Sequence, residues 1–185
     1  MNSNKNILVL LGKSGSGKTT TEKALLAHGI ENLVTYTTRV ARENEVSGVD
    51  YHFISNEEFN KINFDSKFII NDKWKYGIIL DNLKKKECKT FVFSPISEIY
   101  ALDTISSAIN KGFNVNIFIL NVDRNIRFER LVARGESKES IEKRFDIENK
   151  EGDYNYSAFE KFNPIILDTG KLNPDEILES IVKEL

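Results

Sequence analysis

Four short runs of Ile, Leu, Val and Phe stand out along the chain: Ile7–Leu11, Phe91–Phe93, Val115–Leu120 and Pro164–Leu167. Each is continuously apolar rather than alternating, as expected of strands buried on both faces, and each precedes a stretch with helical periodicity. Leu33–Tyr36 is a weaker fifth candidate. Apolar strands alternating with amphipathic helices predict an α/β domain on a mainly parallel, five-stranded sheet flanked by helices.

Helix boundaries carry their own signals. Ser94-Pro95 fits the N-cap and first position of a helix ending near Lys111-Gly112. Asn173 caps the last helix, with Pro174, Asp175 and Glu176 in its first turn, and Ile177, Leu178, Ile181 and Val182 share one face for docking. The rhythm breaks twice. Residues 37–88 hold charged turns, the short runs Tyr51–Ile54, Phe68–Ile70 and Tyr76–Leu80, and small helical pieces such as Glu57–Ile62, which together read as an inserted subdomain. Residues 135–150 are highly charged and helical in pattern. Lys84-Lys85-Lys86 reads as a solvated helix end, His28 as a helix C-terminal residue before Gly29, and His52 as outward-facing on an alternating strand.

Composition narrows the class. At 185 residues, 40% hydrophobic and 29% charged, the chain suits one ordinary globular domain, and we take 1–185 as a single unit. Lys plus Arg is 26 against 28 Asp plus Glu, so no basic excess suits a nucleic-acid polymer, although a small phosphate pocket is compatible. The single cysteine, Cys88, excludes a disulfide scaffold, and two distant histidines make no metal-ligand cluster. No run approaches the ~20 apolar residues of a membrane span. The only methionine is Met1, so the chain reads as beginning at its own initiator. The expectation is a cytoplasmic protein, monomeric or homodimeric, that meets small phosphorylated molecules.

Gly12-Lys13-Ser14-Gly15-Ser16-Gly17-Lys18-Thr19 matches the P-loop pattern in full, between a predicted strand and a predicted helix. Gly15 and Gly17 let the backbone curl so that its N–H groups converge, and the following helix adds positive potential there. Lys18 then reaches the β/γ-phosphates and the Thr19 hydroxyl ligates Mg²⁺. The expected nucleotide-binding set is Gly12, Ser14, Gly15, Ser16, Gly17, Lys18, Thr19 and Thr20, with Mg²⁺ accompanying the nucleotide; the resemblance drawn below implies that this nucleotide is ATP, as phosphoryl donor.

Downstream, Thr37-Thr38-Arg39-Val40-Ala41-Arg42 is followed by Glu45, Gly48, Asp50, Tyr51 and Phe53. Arginines three apart beside a tyrosine suit a phosphate monoester, because guanidinium forks bind its oxygens bidentately, but spacing alone fits a surface loop equally well. Taken with the P-loop, this stretch resembles guanylate kinase, and Arg134-Gly135-Glu136-Ser137 with Arg144 is similar to that family's lid. The resemblance implies a P-loop NTPase core (1–36, 89–134 and 151–185), a nucleoside-monophosphate-binding insertion (37–88) and a lid (135–150). It implies transfer of the ATP γ-phosphoryl group to GMP, dGMP or a related monophosphate. By match to its motifs, Arg39, Arg42, Tyr51 and Tyr76 hold the acceptor phosphate, and Lys18, Arg39, Arg134 and Arg144 form the catalytic set.

Departures from the family pattern fall where guanine is read. A glutamate of the family is replaced by Ile70, followed by Asn71 and Asp72 as candidate substitutes; Tyr-Gly-Ser becomes Tyr76-Gly77-Ile78; and an Asp-x-Asp strand end becomes Phe93-Ser94-Pro95-Ile96. They leave open a kinase for another phosphate ester, such as a sugar phosphate, and a non-catalytic module binding phosphorylated ligands. Arg127, Arg130 and Arg134 recur at helical spacing. Arg124 and Arg127 are expected on a solvated face beside Asp123 and Glu129, with Phe128, Leu131 and Val132 turned to the core.

Overall fold

The computed structural model describes residues 5–70, 72–150 and 156–185. Its elements run β1 (Asn6–Leu11), α1 (Lys18–Ala27), β2 (Glu31–Asn32), β3 (Thr35–Thr37), β4 (Tyr51–Phe53), α2 (Asn56–Lys61), β5 (Ser66–Ile70) and β6 (Trp74–Ile78). They continue with α3 (Asp81–Lys84), β7 (Thr90–Phe93), α4 (Glu98–Asn110), β8 (Asn114–Asn121), α5 (Arg124–Ala133), α6 (Lys138–Lys150), a 3-10 turn (Tyr156–Phe162), β9 (Ile165–Asp168) and α7 (Pro174–Val182). One five-stranded sheet has the order β2-β7-β1-β8-β9, and a second, of four strands, has the order β4-β3-β6-β5. The β2–β7 and β8–β9 pairings are parallel, as unbroken apolar runs predict.

The fifth strand differs from expectation. Glu31–Asn32 pairs with Phe91 and Val92, and Leu33 adds one bond from its N–H to the Val92 carbonyl at 2.8 Å. The chain then leaves, and Thr35 and Tyr36 serve the four-stranded sheet instead. The helix expected at Ser94-Pro95 begins later, at Glu98. Ser97 is its cap, accepting the Tyr100 N–H at 3.1 Å, and Ser94 to Ile96 form the connection.

The described residues divide into two compact units, those within 1–7 and 30–115, and those within 8–29 and 116–185. In the first, β3 and β4 run parallel, whereas β6 is antiparallel to both β3 and β5. The β5–β6 turn puts Asp72 in the left-handed region (φ 52°), and Asn71 beside it lies outside the described residues. Helix α4 packs on β5 and contributes a buried Thr104–Ser66 hydroxyl bond of 3.0 Å. Helix α2 opens on a Ser55–Glu58 capping box. His52, expected to face outward, is half-buried with its ring 4.5 Å from Tyr36.

In the second unit, α7 lies against α1, with Ile177 and Ile181 buried and Leu178 and Val182 partly so. Its start is the expected one: Asn173 and Glu176 form a capping box and Pro174 opens the first turn. Helices α5 and α6 join through Leu131, Ile141 and Phe145, with Phe128 packed alongside. Val132, expected in that core, is exposed instead, because a single inward stripe on α5 passes through Arg127 and Leu131.

Candidate active site

The P-loop sequence forms a turn between β1 and α1. Ser16 donates its N–H to the Lys13 carbonyl at 3.0 Å. Gly12 is obligatory on space alone: a Cβ there would lie 2.4 Å from Ser16 Oγ and 2.7 Å from the Leu120 carbonyl. Helix α1 then starts on Gly17 in the left-handed region, with no side-chain cap and no acid in its first turn. Helices α2 and α7 both have a capping box and two acids in the same positions. The bare N–H groups of α1 are what an anion satisfies. Ser16 Oγ, buried at the same turn, has no hydrogen-bond partner among the described residues.

Lys18 curls back so that its ammonium bonds the Gly12 carbonyl and lies 3.4 Å from that of Lys13. Burial pushes its pKa down to about 8, opposed by Glu148, while Arg127 and Arg134 add to the depression. A cavity of about 210 Å³ opens here, lined by Lys13 through Thr19 together with Leu131, Arg134, Glu136 and Arg144. Four cations therefore face one small space. Arg144 is held by Glu136 at 2.7 Å, and Arg134 ends α5 exposed. A second cavity of about 310 Å³ adjoins Gly17, Thr20 and Thr21 and reaches Arg130, Thr169 and Ile177.

Two arginines of α5 depart from expectation. Arg124 does sit on a solvated face, paired with Glu142. Arg127 does not: it is 6% exposed and pairs with Glu148, itself 8% exposed, at 2.8 Å. Arg130 bonds both the hydroxyl and the carbonyl of Thr169. Glu148 escapes sequence reasoning because its partner lies 21 residues away, beyond any local spacing.

The first unit gathers a separate cluster. Arg39, 9% exposed, is gripped by Glu45 at 2.7 Å and lies over the rings of Tyr51 (5.3 Å) and Phe53 (5.8 Å). The Tyr76 side chain also favours the charged form of Arg39, and the Tyr51 and Tyr76 rings meet edge to face at 6.0 Å. Sheet register explains the convergence, since Thr37 faces Phe53 on one side and Tyr76 on the other. Glu45 holds its carboxyl below the usual range through Arg39 and the Arg42 N–H. Arg42 remains exposed, an available fork beside an anchored one.

A glycine-rich anion loop between an apolar strand and an uncapped helix, on a parallel α/β sheet, defines a P-loop NTPase fold. Comparison with known proteins narrows the class. The guanylate kinase family model matches residues 4–168. A guanylate kinase of Helicobacter pylori strain J99 is 34% identical over 197 aligned residues, covering 100% of this chain and 90% of that protein. Another, of Neisseria gonorrhoeae, is 32% identical over 145 residues, covering 75% and 70%. The crystal structure of guanylate kinase from Anaplasma phagocytophilum matches in fold with a TM-score of 0.58 and 20% identity, covering 100% of this chain and 86% of that one. This chain belongs to the guanylate kinase family.

Proposed function

We propose that the protein is an ATP-dependent nucleoside monophosphate kinase that passes the γ-phosphoryl group of ATP to GMP or dGMP, giving the diphosphate and ADP. The observation that carries this reading is the 210 Å³ cavity, where an uncapped helix start, Lys18, Arg134 and Arg144 surround a space of phosphate dimensions. Gly12, Ser14, Gly15, Ser16, Gly17, Lys18, Thr19 and Thr20 bind the donor. The adenosine end takes the adjoining cavity at Thr20 and Thr169.

The acceptor phosphate is held by Arg39, Arg42, Tyr51 and Tyr76. Glu45 orients Arg39 so that bidentate binding costs little further ordering. Because a phosphate acceptor is already an anion, no general base is needed. Charge developing on the equatorial oxygens is met by Lys18, Arg39, Arg134 and Arg144, and positioned cations supply most of such catalysis. Residues 37–88 act as the acceptor subdomain and 135–150 as a lid that carries Arg144, begins beside Arg134 and excludes water from the phosphoryl group.

Mg²⁺ fits the donor set. Among the described residues no three His, Cys, Asp or Glu side chains converge on one point. A single hydroxyl, that of Thr19, together with nucleotide oxygens and water suits an ion that usually keeps much of its hydration. When bound, it neutralises charge on the β- and γ-phosphates. The expected setting is the cytoplasm, where free nucleotides occur, for a monomer or homodimer; no helix among the described residues is long and apolar enough to cross a membrane.

A second reading is favoured by Ile70, Ile78 and the Phe93-Ser94-Pro95 strand end, which stand where the family pattern has its glutamate, its hydroxyl and its Asp-x-Asp. It keeps the donor chemistry and changes the acceptor to another phosphate ester. ADP formation from Mg-ATP, assayed over a panel of nucleoside monophosphates and sugar phosphates, separates the two. Stimulation greatest with GMP or dGMP is expected. A sugar phosphate that outcompetes every monophosphate establishes the second reading, and no stimulation by any acceptor refutes both.

A further inference from the structure

Helix α6 turns one stripe inward, Ile141, Phe145 and Glu148, spaced four and three residues apart. Two members are apolar and fully buried; the third is a carboxylate in a position whose pattern asks for a core side chain. Its partners explain the choice. Glu148 Oε2 accepts from Arg127 Nη1 at 2.8 Å, and Oε1 accepts the Ser14 N–H at 3.1 Å. Arg127 Nη1 also reaches the Ser14 carbonyl at 3.3 Å, and its guanidinium lies 4.4 Å from the centroid of the Phe145 ring. Both backbone polar groups of Ser14 are thus engaged by one buried ion pair.

Ser14 belongs to a loop whose N–H groups are arranged for anions, and one of them already has an anion of the protein's own. The negative charge of Glu148 is felt at Lys18, the cation placed for the donor phosphates. A triphosphate brings several further negative charges to the same space. At a few ångströms, like charges in a partly desolvated site repel strongly enough to change affinity about tenfold or more. A purely structural strut between α5 and α6 would be served as well by two apolar residues.

Resting on the donor-site reading above, we propose that Glu148 is a resident anion of the phosphate loop, against which the donor's phosphates bind in competition. Glu148 thereby sets donor affinity below what the loop alone would give. ATP weakens the hold of Glu148 on Ser14 and on Arg127, leaving Arg127 available as a further cation beside Lys18. The chain distinguishes a filled from an empty loop through one side chain of the lid helix.

Calorimetric titration of the full chain with ATP, ADP and adenosine tests this, comparing wild type, Glu148→Gln and Glu148→Asp. Glu148→Gln keeps a hydrogen-bond acceptor for Ser14 and removes the charge. It should tighten ATP about tenfold and ADP less, leave adenosine unchanged, and lose most of the gain at high salt. Glu148→Asp, which restores the charge, should return affinity toward the wild-type value. Unchanged or weaker ATP binding by Glu148→Gln overturns the proposal, as does equal tightening by Glu148→Asp.

Wild-type protein labelled with ¹³C gives a reading free of any folding defect in the variants. The Glu148 carboxyl resonance should move on saturation with ATP and stay in place with adenosine; an unmoved resonance with ATP also overturns the proposal. If wild type binds no ATP, the donor-site reading itself fails. If wild type binds ATP and Glu148→Gln is no tighter, only the role of Glu148 fails.

Discussion

Arg130 is joined twice to Thr169, donating from Nη2 to its carbonyl at 2.6 Å and from Nη1 to its hydroxyl at 3.1 Å. The same hydroxyl donates onward to the Ser16 carbonyl at 2.8 Å. Thr169 is 4% exposed, so these bonds tie the end of β9 to the middle of the phosphate loop away from water. Thr169→Val keeps the shape and leaves Ser16 and Arg130 each short of a partner. The expected cost is about 1–3 kcal/mol of stability, with weakened ATP binding. Thr169→Ser should retain both. Thermal denaturation with parallel ATP titration checks the pair.

Gly15 has φ +80°, and a Cβ there would lie 2.9 Å from the Arg127 carbonyl, a backbone atom with little room to yield. Gly15→Ala therefore combines left-handed strain with overlap, roughly 2–5 kcal/mol together. Gly135, at φ +86°, has nothing within 4 Å of the same hypothetical atom, so Gly135→Ala should show the backbone strain alone. A melting temperature markedly lower for Gly15→Ala than for Gly135→Ala, with ATP binding lost only in the former, is the expected result.

Glu45 fixes both Arg39, through Oε1, and the Arg42 N–H, through Oε2. Losing a hydrogen bond to a charged group costs about 1.5–3 kcal/mol. Glu45→Ala should therefore raise the acceptor KM by about tenfold or more while leaving the ATP KM within about twofold. Steady-state kinetics with each substrate varied in turn read the split.

Lys18 carries a pKa of about 8 in the free protein because burial disfavours its charge. Phosphates binding beside it favour the charged form, so ATP binding above pH 8 should take up protons, and affinity should fall as pH rises. Near pH 7 the group is mostly charged already and uptake should be small. Calorimetry in two buffers of different ionisation enthalpy measures the proton count directly. The folding linkage has the opposite sense. Between about 8 and the ordinary 10.5 the unfolded chain holds more protons at Lys18 than the native one, so this group's contribution to stability rises with pH.

Local pattern made much of this legible. The runs at Ile7, Phe91, Val115 and Pro164 became the strands β1, β7, β8 and β9, and Asn173 capped α7 as its sequence demanded. The phosphate loop was readable because its glycines, lysine and threonine act within eight residues. Strand β2 was harder, since Glu31–Asn32 owes its place to Phe91 and Val92 rather than to apolar content. The four-stranded sheet depends on β3–β6 pairing across some forty residues, which no local period encodes. Arg127 was misjudged for the same reason. Its exposed-looking spacing hid a partner 21 residues away, and burial of an arginine depends on such a partner.

In the proposed reaction the γ-phosphoryl group of ATP moves to a nucleoside monophosphate. ³¹P NMR of the protein with ATP, GMP and Mg²⁺ follows that phosphorus from bond to bond. The ADP and GDP β-phosphorus resonances should grow in parallel as those of ATP and GMP decline, and Lys18→Ala should abolish this growth. ATP signal lost only to inorganic phosphate, or unchanged in the presence of GMP and dGMP alike, would contradict that reaction.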